Sequence, residues 1–164
     1  MKKKLALGCF VAAVALIPAQ NALAAGWRYS STEDAMRGST EKIAELKSNN
    51  RVSLQFPYQG GSDLTIVLRH SQRLGGLSAM VQLSKGQLLC EFRGCNLVVK
   101  FDDEPIMHLW AHAASGGHRN TIFLQDESPF LARLRSAKKV IIEVDIWKHG
   151  PTQFTFQATG LDWK

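Results

Sequence analysis

Cys90 and Cys95 are the side chains most clearly placed for chemistry in this chain. Four residues separate them, a spacing typical of two strands that face each other across a tight turn. A cross-strand pair meets the Cα separation of roughly 4.4–6.8 Å that a disulfide needs. Zinc is the alternative, because two thiolates can bind it, but the sequence has neither a second cysteine pair nor a histidine at finger spacing. We therefore predict a Cys90–Cys95 disulfide, provided that the chain is exported.

An acidic corner, Asp102-Asp103-Glu104, precedes Pro105. It has two functional interpretations, a cation site and an acid/base pair. Adjacent carboxylates in an extended strand point to opposite faces, so only Asp102 and Glu104 could converge. The spacing of a calcium-binding EF-hand loop is missing. The corner is more typical of a solvated turn in which an aspartate bonds to its own backbone, and we expect the loss of any one of these charges to cost little stability.

Trp110 lies between His108 and His112 in a predicted strand, and His118 follows in a glycine-rich loop. Three histidines this close in sequence suit copper or zinc. However, an extended strand separates residues four apart by about 13 Å, too far for His108 and His112 to share one ion. We predict no metal and no cofactor. The possible binding residues are Trp110, His108, Asp102 and Asp103.

No catalytic residue is predicted. No serine stands in a nucleophile-elbow context, and the spacing of the cysteines is not the C-x-x-C of redox enzymes. A hydrolase would have to use Asp102 or Asp103 with His108. Four tryptophans could line a ligand groove, although large aromatic residues in a small β-domain more often belong to its core; they are Trp27, Trp110, Trp147 and Trp163.

Residues 1–24 are predicted to be a signal peptide. Lys2, Lys3 and Lys4 precede an apolar run, Leu5 to Pro18, and Ala22-Leu23-Ala24 matches an A-x-A cleavage site. Cleavage would remove Cys9 and leave two cysteines, an even number that suits one bridge. The style of the segment is bacterial, which predicts a periplasmic or secreted protein. An uncleaved N-terminal anchor is the alternative.

The predicted mature chain, residues 25–164, is long enough for one domain with its own core. Three of the 20 basic residues leave with the signal peptide, so the formal net charge falls from +6 to +3. The remaining charges are mixed in sign, and no basic stripe carries an aromatic platform. We therefore predict no binding to nucleic acid, and none to a membrane once the signal peptide is removed.

Alternating apolar residues predict strands along most of the mature chain. A strand that ends at Cys90 is predicted to form the disulfide hairpin with a strand from Cys95 to Phe101. Trp27 to Tyr29 is predicted as a short opening strand, and Ser30 to Thr40 as a loop. Residues 41–47 suit a helix or a strand, and we favour a strand. Val52, Leu54 and Phe56 predict a strand that ends at Pro57.

One segment predicts a helix. Ser128 suits its N-cap, Pro129 its first position, and Phe130 and Leu134 lie four apart on one apolar face. Many short strands with turns between them and a single short helix predict an all-β fold. We expect an antiparallel β-sandwich or partly open barrel with one short α-helix near the C-terminal strands.

The second half of the chain resembles exported accessory proteins associated with type VI secretion. The shared landmarks, from Cys90 to Trp163, are a cysteine, a strand, FDDEP, a Trp strand, FLARL, KVIIEV and an F-x-F strand that closes on Gly160-Leu161. The first half, with PYQGG and VLRH, is more similar to small exported or prophage-encoded proteins built on the same sandwich. The resemblance implies a non-enzymatic periplasmic module and carries over no catalytic residue.

These observations predict an exported interaction module with a protein partner in the cell envelope, and the resemblance implies a role accessory to an envelope or secretion machine. A binder of small ligands or glycans that uses exposed aromatic faces is the alternative, and a hydrolase is the third. The oligomeric state does not follow from the sequence.

Overall fold

The computed structural model describes residues 26–91 and 93–163. In these two ranges the chain forms eleven β-strands and one α-helix. The strands are β1 (Arg28–Asp34), β2 (Ser39–Lys47), β3 (Val52–Leu54), β4 (Gly60–Ser62), β5 (Leu64–Ser71), β6 (Gly76–Leu83), β7 (Cys95–Phe101), β8 (Met107–Ala113), β9 (Thr121–Leu124), β10 (Lys139–Ile146) and β11 (Gly150–Gln157). The helix is α1 (Ser128–Leu134). The predicted signal peptide, residues 1–24 with Cys9, lies outside the described residues.

Nine strands form one antiparallel sheet in the order β1-β2-β5-β6-β9-β8-β7-β10-β11, and β3 and β4 form a small second sheet. The large sheet curls without closing into a barrel. Asn49, after β2, donates its backbone N–H to the Thr155 carbonyl on β11 at 2.7 Å. The Asn50 side chain accepts the Thr155 N–H at 2.8 Å. The fold is therefore the predicted all-β sandwich with a short helix.

One face of the curled sheet supplies the core. Leu64, Ile66 and Leu68 of β5 alternate with more accessible neighbours and are fully buried. The same alternation places apolar residues of β6, β7, β10 and β11 on this face. Helix α1 adds Phe130 and Leu134, as its predicted apolar face requires.

Strand β1 is longer than predicted, because the polar segment after Tyr29 continues it to Asp34. Its seven residues pair with β2 in unbroken register, from Arg28 opposite Glu45 to Asp34 opposite Ser39. Six of the seven are exposed, so backbone pairing rather than apolar burial holds them. The prediction of a loop was therefore wrong for residues 30–34. Their side chains are polar, so the alternation of apolar residues that predicts a strand is missing. The preference for a strand at residues 41–47 is confirmed by β2.

The strand predicted to end at Cys90 does not form. Residues Gln87 to Leu89 cross the end of β10, where Leu88 makes an isolated bridge with Ile146. Leu89 donates its backbone N–H to the Asp145 carbonyl at 2.8 Å. Trp147 donates its backbone N–H to the Gln87 carbonyl at 2.9 Å. β10 thus takes the hydrogen bonds that a hairpin with β7 would have used.

Two smaller boundaries also differ from the prediction. β3 ends at Leu54, and Phe56 is 73% exposed in the β3–β4 connection instead of facing the core. At the helix, Glu127 occupies the N-cap position, and Ser128 and Pro129 lie inside the first turn. Ser128 donates its N–H to the Asp126 carboxylate at 3.1 Å, so a residue before the N-cap satisfies this N–H of the first turn.

Candidate functional site

A groove of about 750 Å³ opens beside the cysteine loop. The structure joins Cys90 to Cys95, the pair predicted from the sequence, with Cα atoms 4.9 Å apart. Both cysteines line the groove, which we call the disulfide groove. Its other walls are formed by the segment that crosses β10 and by the connection between β8 and β9; the polar lining residues include Glu91, His118, Arg119 and Asp145.

Backbone hydrogen bonds hold the walls of the disulfide groove. The Leu88 N–H binds the Arg119 carbonyl at 2.7 Å, which ties the crossing segment to the opposite loop. The Gly94 N–H binds the Glu91 carbonyl at 2.9 Å and closes the tight turn between the cysteines. Leu88 and Ile122 are buried and connect the floor of the groove to the core. The groove is therefore a built feature of the fold rather than a gap between loose loops.

Charges of both signs surround the disulfide groove. Glu91 and Asp145 contribute carboxylates, and Arg119 contributes a guanidinium group; all three residues are exposed. Within residues 26–91 and 93–163, no ion pair involves any of these three side chains. Their hydrogen-bonding capacity is available to a bound molecule.

Trp110 lies against the cysteine loop. Its ring crosses above Gly94, where a Cβ atom would fall only 2.5 Å from the indole Nε1. Gly94 also has a φ of +108°, a conformation that side chains rarely adopt. Both conditions require glycine at this position. The indole itself is 49% exposed, so one surface supports the loop and the rest faces solvent.

The histidines near Trp110 do not form a metal site. His108 Nδ1 lies 2.8 Å from Asn96 Nδ2, and His112 Nε2 lies 3.2 Å from Gln125 Oε1. His118 lines the disulfide groove instead. In the part of the chain that the structure describes, no three potential ligands converge on one point.

The acidic corner divides into three separate roles. The Asp102 carboxylate accepts the backbone N–H groups of Lys139 at 2.7 Å and Lys138 at 3.1 Å, so it fastens the end of β7 to the start of β10. This differs from the expected turn, in which aspartate bonds to its own backbone. Glu104 forms an ion pair with Arg133 of α1, and Asp103 is exposed. Asp102 binds the start of β10, whereas His108 contacts Asn96, so these two side chains have different partners.

Of the four tryptophans, Trp27, Trp147 and Trp163 are half-buried and Trp110 is exposed. Trp27 and Trp163 pack against the core, and Trp147 meets Tyr58 edge to face. A second cavity of about 420 Å³ has Tyr29 and Trp163 in its lining, next to Lys42 and His70. Three of the four tryptophans thus pack against other parts of the fold, and Trp110 is the one tryptophan with a large exposed surface.

The sequence pattern pointed to Cys90 and Cys95, which line the groove, and to Trp110 beside it, but missed most of the other lining residues. Leu89, Glu91, Arg119 and Asp145 belong to segments far apart in the chain, and no common spacing connects them. The crossing of β10 by the segment before Cys90 brings them together. The short apolar run Leu88-Leu89-Cys90 does not reveal that crossing, because it suits a strand of the predicted hairpin equally well.

Comparisons with known protein families, with curated proteins and with solved structures gave no match. The resemblance to accessory proteins of type VI secretion therefore stays a prediction. Among the described residues, no helix combines the length and the apolar character needed to cross a membrane.

Proposed function

We propose that this protein is an exported, non-enzymatic binding module of the bacterial cell envelope, and that it binds a protein partner at the disulfide groove. Two features support export to the periplasm. The first 24 residues have the pattern of a signal peptide, and Cys90 and Cys95 form a disulfide, a bond that persists in oxidising compartments.

The observation that carries the proposal is the presence of two large, exposed apolar side chains next to the cysteine loop, Leu89 in the lining of the groove and Trp110 beside it. Leu89, next to Cys90, is 51% exposed and lines the groove. Trp110, against Gly94, is 49% exposed. Exposed apolar residues rimmed by charges are typical of protein interfaces, and tryptophan is enriched among the residues that dominate binding energy. The charged residues Glu91, Arg119 and Asp145 would form the rim.

The disulfide supports this function by holding the wall of the groove in one shape. The loop between the cysteines contains four residues, and its ends are fixed by the bond. A wall ordered before binding loses less conformational entropy when the partner arrives. In this proposal, the cysteine pair therefore serves recognition as well as stability.

A small ligand or a glycan is the second candidate, and the size of the groove favours it. Its volume of about 750 Å³ lies within the range of roughly 300–1,000 Å³ typical of ligand pockets. The exposed indole of Trp110 offers the flat apolar face on which a sugar ring can stack. This candidate requires the same residues as the first, so the experiment must identify the bound species.

Site-specific photo-crosslinking in the producing cell separates the two candidates. A photoreactive residue at position 89 should give a discrete adduct with another polypeptide, while the same residue at Ile106 should not. Ile106 is a matched control, because it is 59% exposed but lies in the β7–β8 connection. An adduct of glycan or small-molecule mass would favour the second candidate. Equal labelling from both positions, or none from position 89, would overturn binding at the groove.

The crosslinked polypeptide would also test the role suggested by the resemblance. A component of a secretion machine would support an accessory role in type VI secretion. An envelope protein unrelated to secretion would remove that role and leave the binding function intact.

A further inference from the structure

The outer edge of β1 is a second surface available for binding, separate from the disulfide groove. β1 is the first strand of the nine-stranded sheet and pairs with β2 on one side. Across residues 26–91 and 93–163, no strand pairs with its other side. Natural proteins usually shorten, bend or cover such an edge, because its free N–H and C=O groups attract another strand. β1 keeps seven residues in regular register, without proline and without a bulge.

The tail of the chain leaves this edge open. Trp27 donates its indole N–H to the Ala158 carbonyl at 3.0 Å, and the Tyr29 hydroxyl accepts the Asp162 N–H at 2.8 Å. Trp27 and Tyr29 are two residues apart, so both side chains point to one face of the strand. Tyr29 lies opposite Ala44, whose side chain is in the core, so this is the inner face. The tail therefore contacts β1 through inner-face side chains and not along its backbone.

The charges of β1 are distributed so that the strand complements its own antiparallel copy. Arg28, which pairs with Glu45 of β2 at 3.3 Å, is at one end, and Glu33 and Asp34 are at the other, where Asp34 pairs with Arg37 at 2.9 Å. The centre, Ser30-Ser31-Thr32, is small and uncharged. Antiparallel pairing centred on Ser31 would place Arg28 of each strand opposite Asp34 of the other, on the same face. Parallel pairing would oppose like charges at both ends, which destabilises a sheet.

We propose that a second copy of this chain binds at the free edge of β1, with the two β1 strands antiparallel and Ser31 on the two-fold axis. The nine-stranded sheets of the two copies would then form one continuous sheet. Seven residues on each side make a small interface, so the dimer is weak and its population depends on protein concentration. This inference does not depend on the proposed function, because it uses a different surface.

Cysteine substitution tests the register directly. On the two-fold axis the two Ser31 Cα atoms would be about 4.5–5.5 Å apart, within the range that a disulfide requires. Ser31→Cys, in a Cys9→Ser background, should therefore oxidise to a covalent dimer. Ser30→Cys is the matched control, because Ser30 is equally exposed on the same strand but its two copies would be more than about 7 Å apart. We expect Ser31→Cys to crosslink at least about tenfold faster, since only that pair meets the geometry of a disulfide.

A mixture of two variants tests the neighbouring position in the register. Ser30→Cys and Thr32→Cys should crosslink to each other, since Ser30 of one strand faces Thr32 of the other, but neither should crosslink to itself. The same samples are compared with wild type by thermal unfolding, which shows whether each variant is folded. Crosslinking of Ser30→Cys as fast as Ser31→Cys would overturn the proposed register.

Sedimentation of the wild type shows whether the pairing exists without a covalent trap. The average mass should rise reversibly from monomer toward dimer as the concentration increases from about 10 μM to about 500 μM, as expected for a small interface. Arg28→Glu should raise the dissociation constant by roughly 2- to 30-fold, because it opposes like charges at two symmetry-related places. A wild-type protein that stays monomeric throughout would overturn the proposal, whatever is found at position 89.

Discussion

Asp102 offers the sharpest test of how this fold is held together. Its carboxylate accepts the N–H groups of Lys138 and Lys139, and its backbone has a φ of 45°. Each hydrogen bond contributes about 1 kcal/mol net, and this left-handed conformation costs alanine roughly 1 kcal/mol more than aspartate. Asp102→Ala should therefore lower the free energy of unfolding by about 2–3 kcal/mol, by the same estimates.

Two neighbouring substitutions divide this effect into its causes. Asp102→Asn keeps the tolerance of the left-handed conformation and one acceptor oxygen, so it should cost about 1 kcal/mol or less. Asp103→Ala removes an adjacent exposed carboxylate and should change stability by less than about 0.5 kcal/mol. The measurement is urea unfolding followed by tryptophan fluorescence, with thermal unfolding as a check. For a domain of this size, Asp102→Ala should lower Tm by roughly 5–10 °C.

Equal effects of Asp102→Ala and Asp103→Ala would refute the reasoning, because only Asp102 binds β10.

A cation site at the acidic corner is tested in the same experiment. If the corner bound calcium or magnesium, either ion would raise the Tm of the wild type, since a ligand that binds only the folded state stabilises it. We expect no such rise. A clear rise that Asp102→Asn abolishes would restore the metal interpretation.

Three further results are expected. Phe130→Ala should cost about 3–5 kcal/mol in chemical unfolding, because its buried ring lies 5.6 Å from that of Phe101, whereas exposed Phe56→Ala should cost less than about 0.5 kcal/mol. Gly94→Ala should destabilise by about 1–3 kcal/mol more than Gly117→Ala; both glycines have positive φ, but only Gly94 would bring a Cβ into Trp110. Mass spectrometry of the mature protein should show no alkylation before reduction and two labels after it. Labelling before reduction would contradict the disulfide.

Local pattern predicted much of this fold because the buried face follows strand and helix periodicity. Leu64, Ile66 and Leu68 alternate along β5, and their burial follows once one face is covered. Phe130 and Leu134 lie one turn apart, so both reach the core from α1. The cysteine spacing likewise predicted a bond that needs only a tight turn.

The pattern failed where backbone pairing replaced apolar burial. β1 from Ser30 to Asp34 reads as a polar loop, yet its pairing with β2 makes it a strand. The segment from Gln87 to Leu89 was predicted as part of a hairpin strand, but the end of β10 binds it instead. Every residue except proline has both a backbone N–H and a backbone C=O group. The pairing of these groups does not depend on the type of side chain, so the sequence pattern does not predict it.

By itself, the sequence determined the β-rich class, the core faces, the helix and the cysteine pair, all of which depend on neighbours within a few residues. Only the tertiary structure decided the neighbours of each strand, the partners of Asp102 on β10 and the assembly of the disulfide groove. Lys139 is 37 residues from Asp102, and Asp145 is 56 residues from Leu89, because the order of strands in the sheet differs from their order in the chain. Contacts between residues so far apart in the chain form when the curled sheet brings remote strands together. The spacing of residues along the sequence does not predict them.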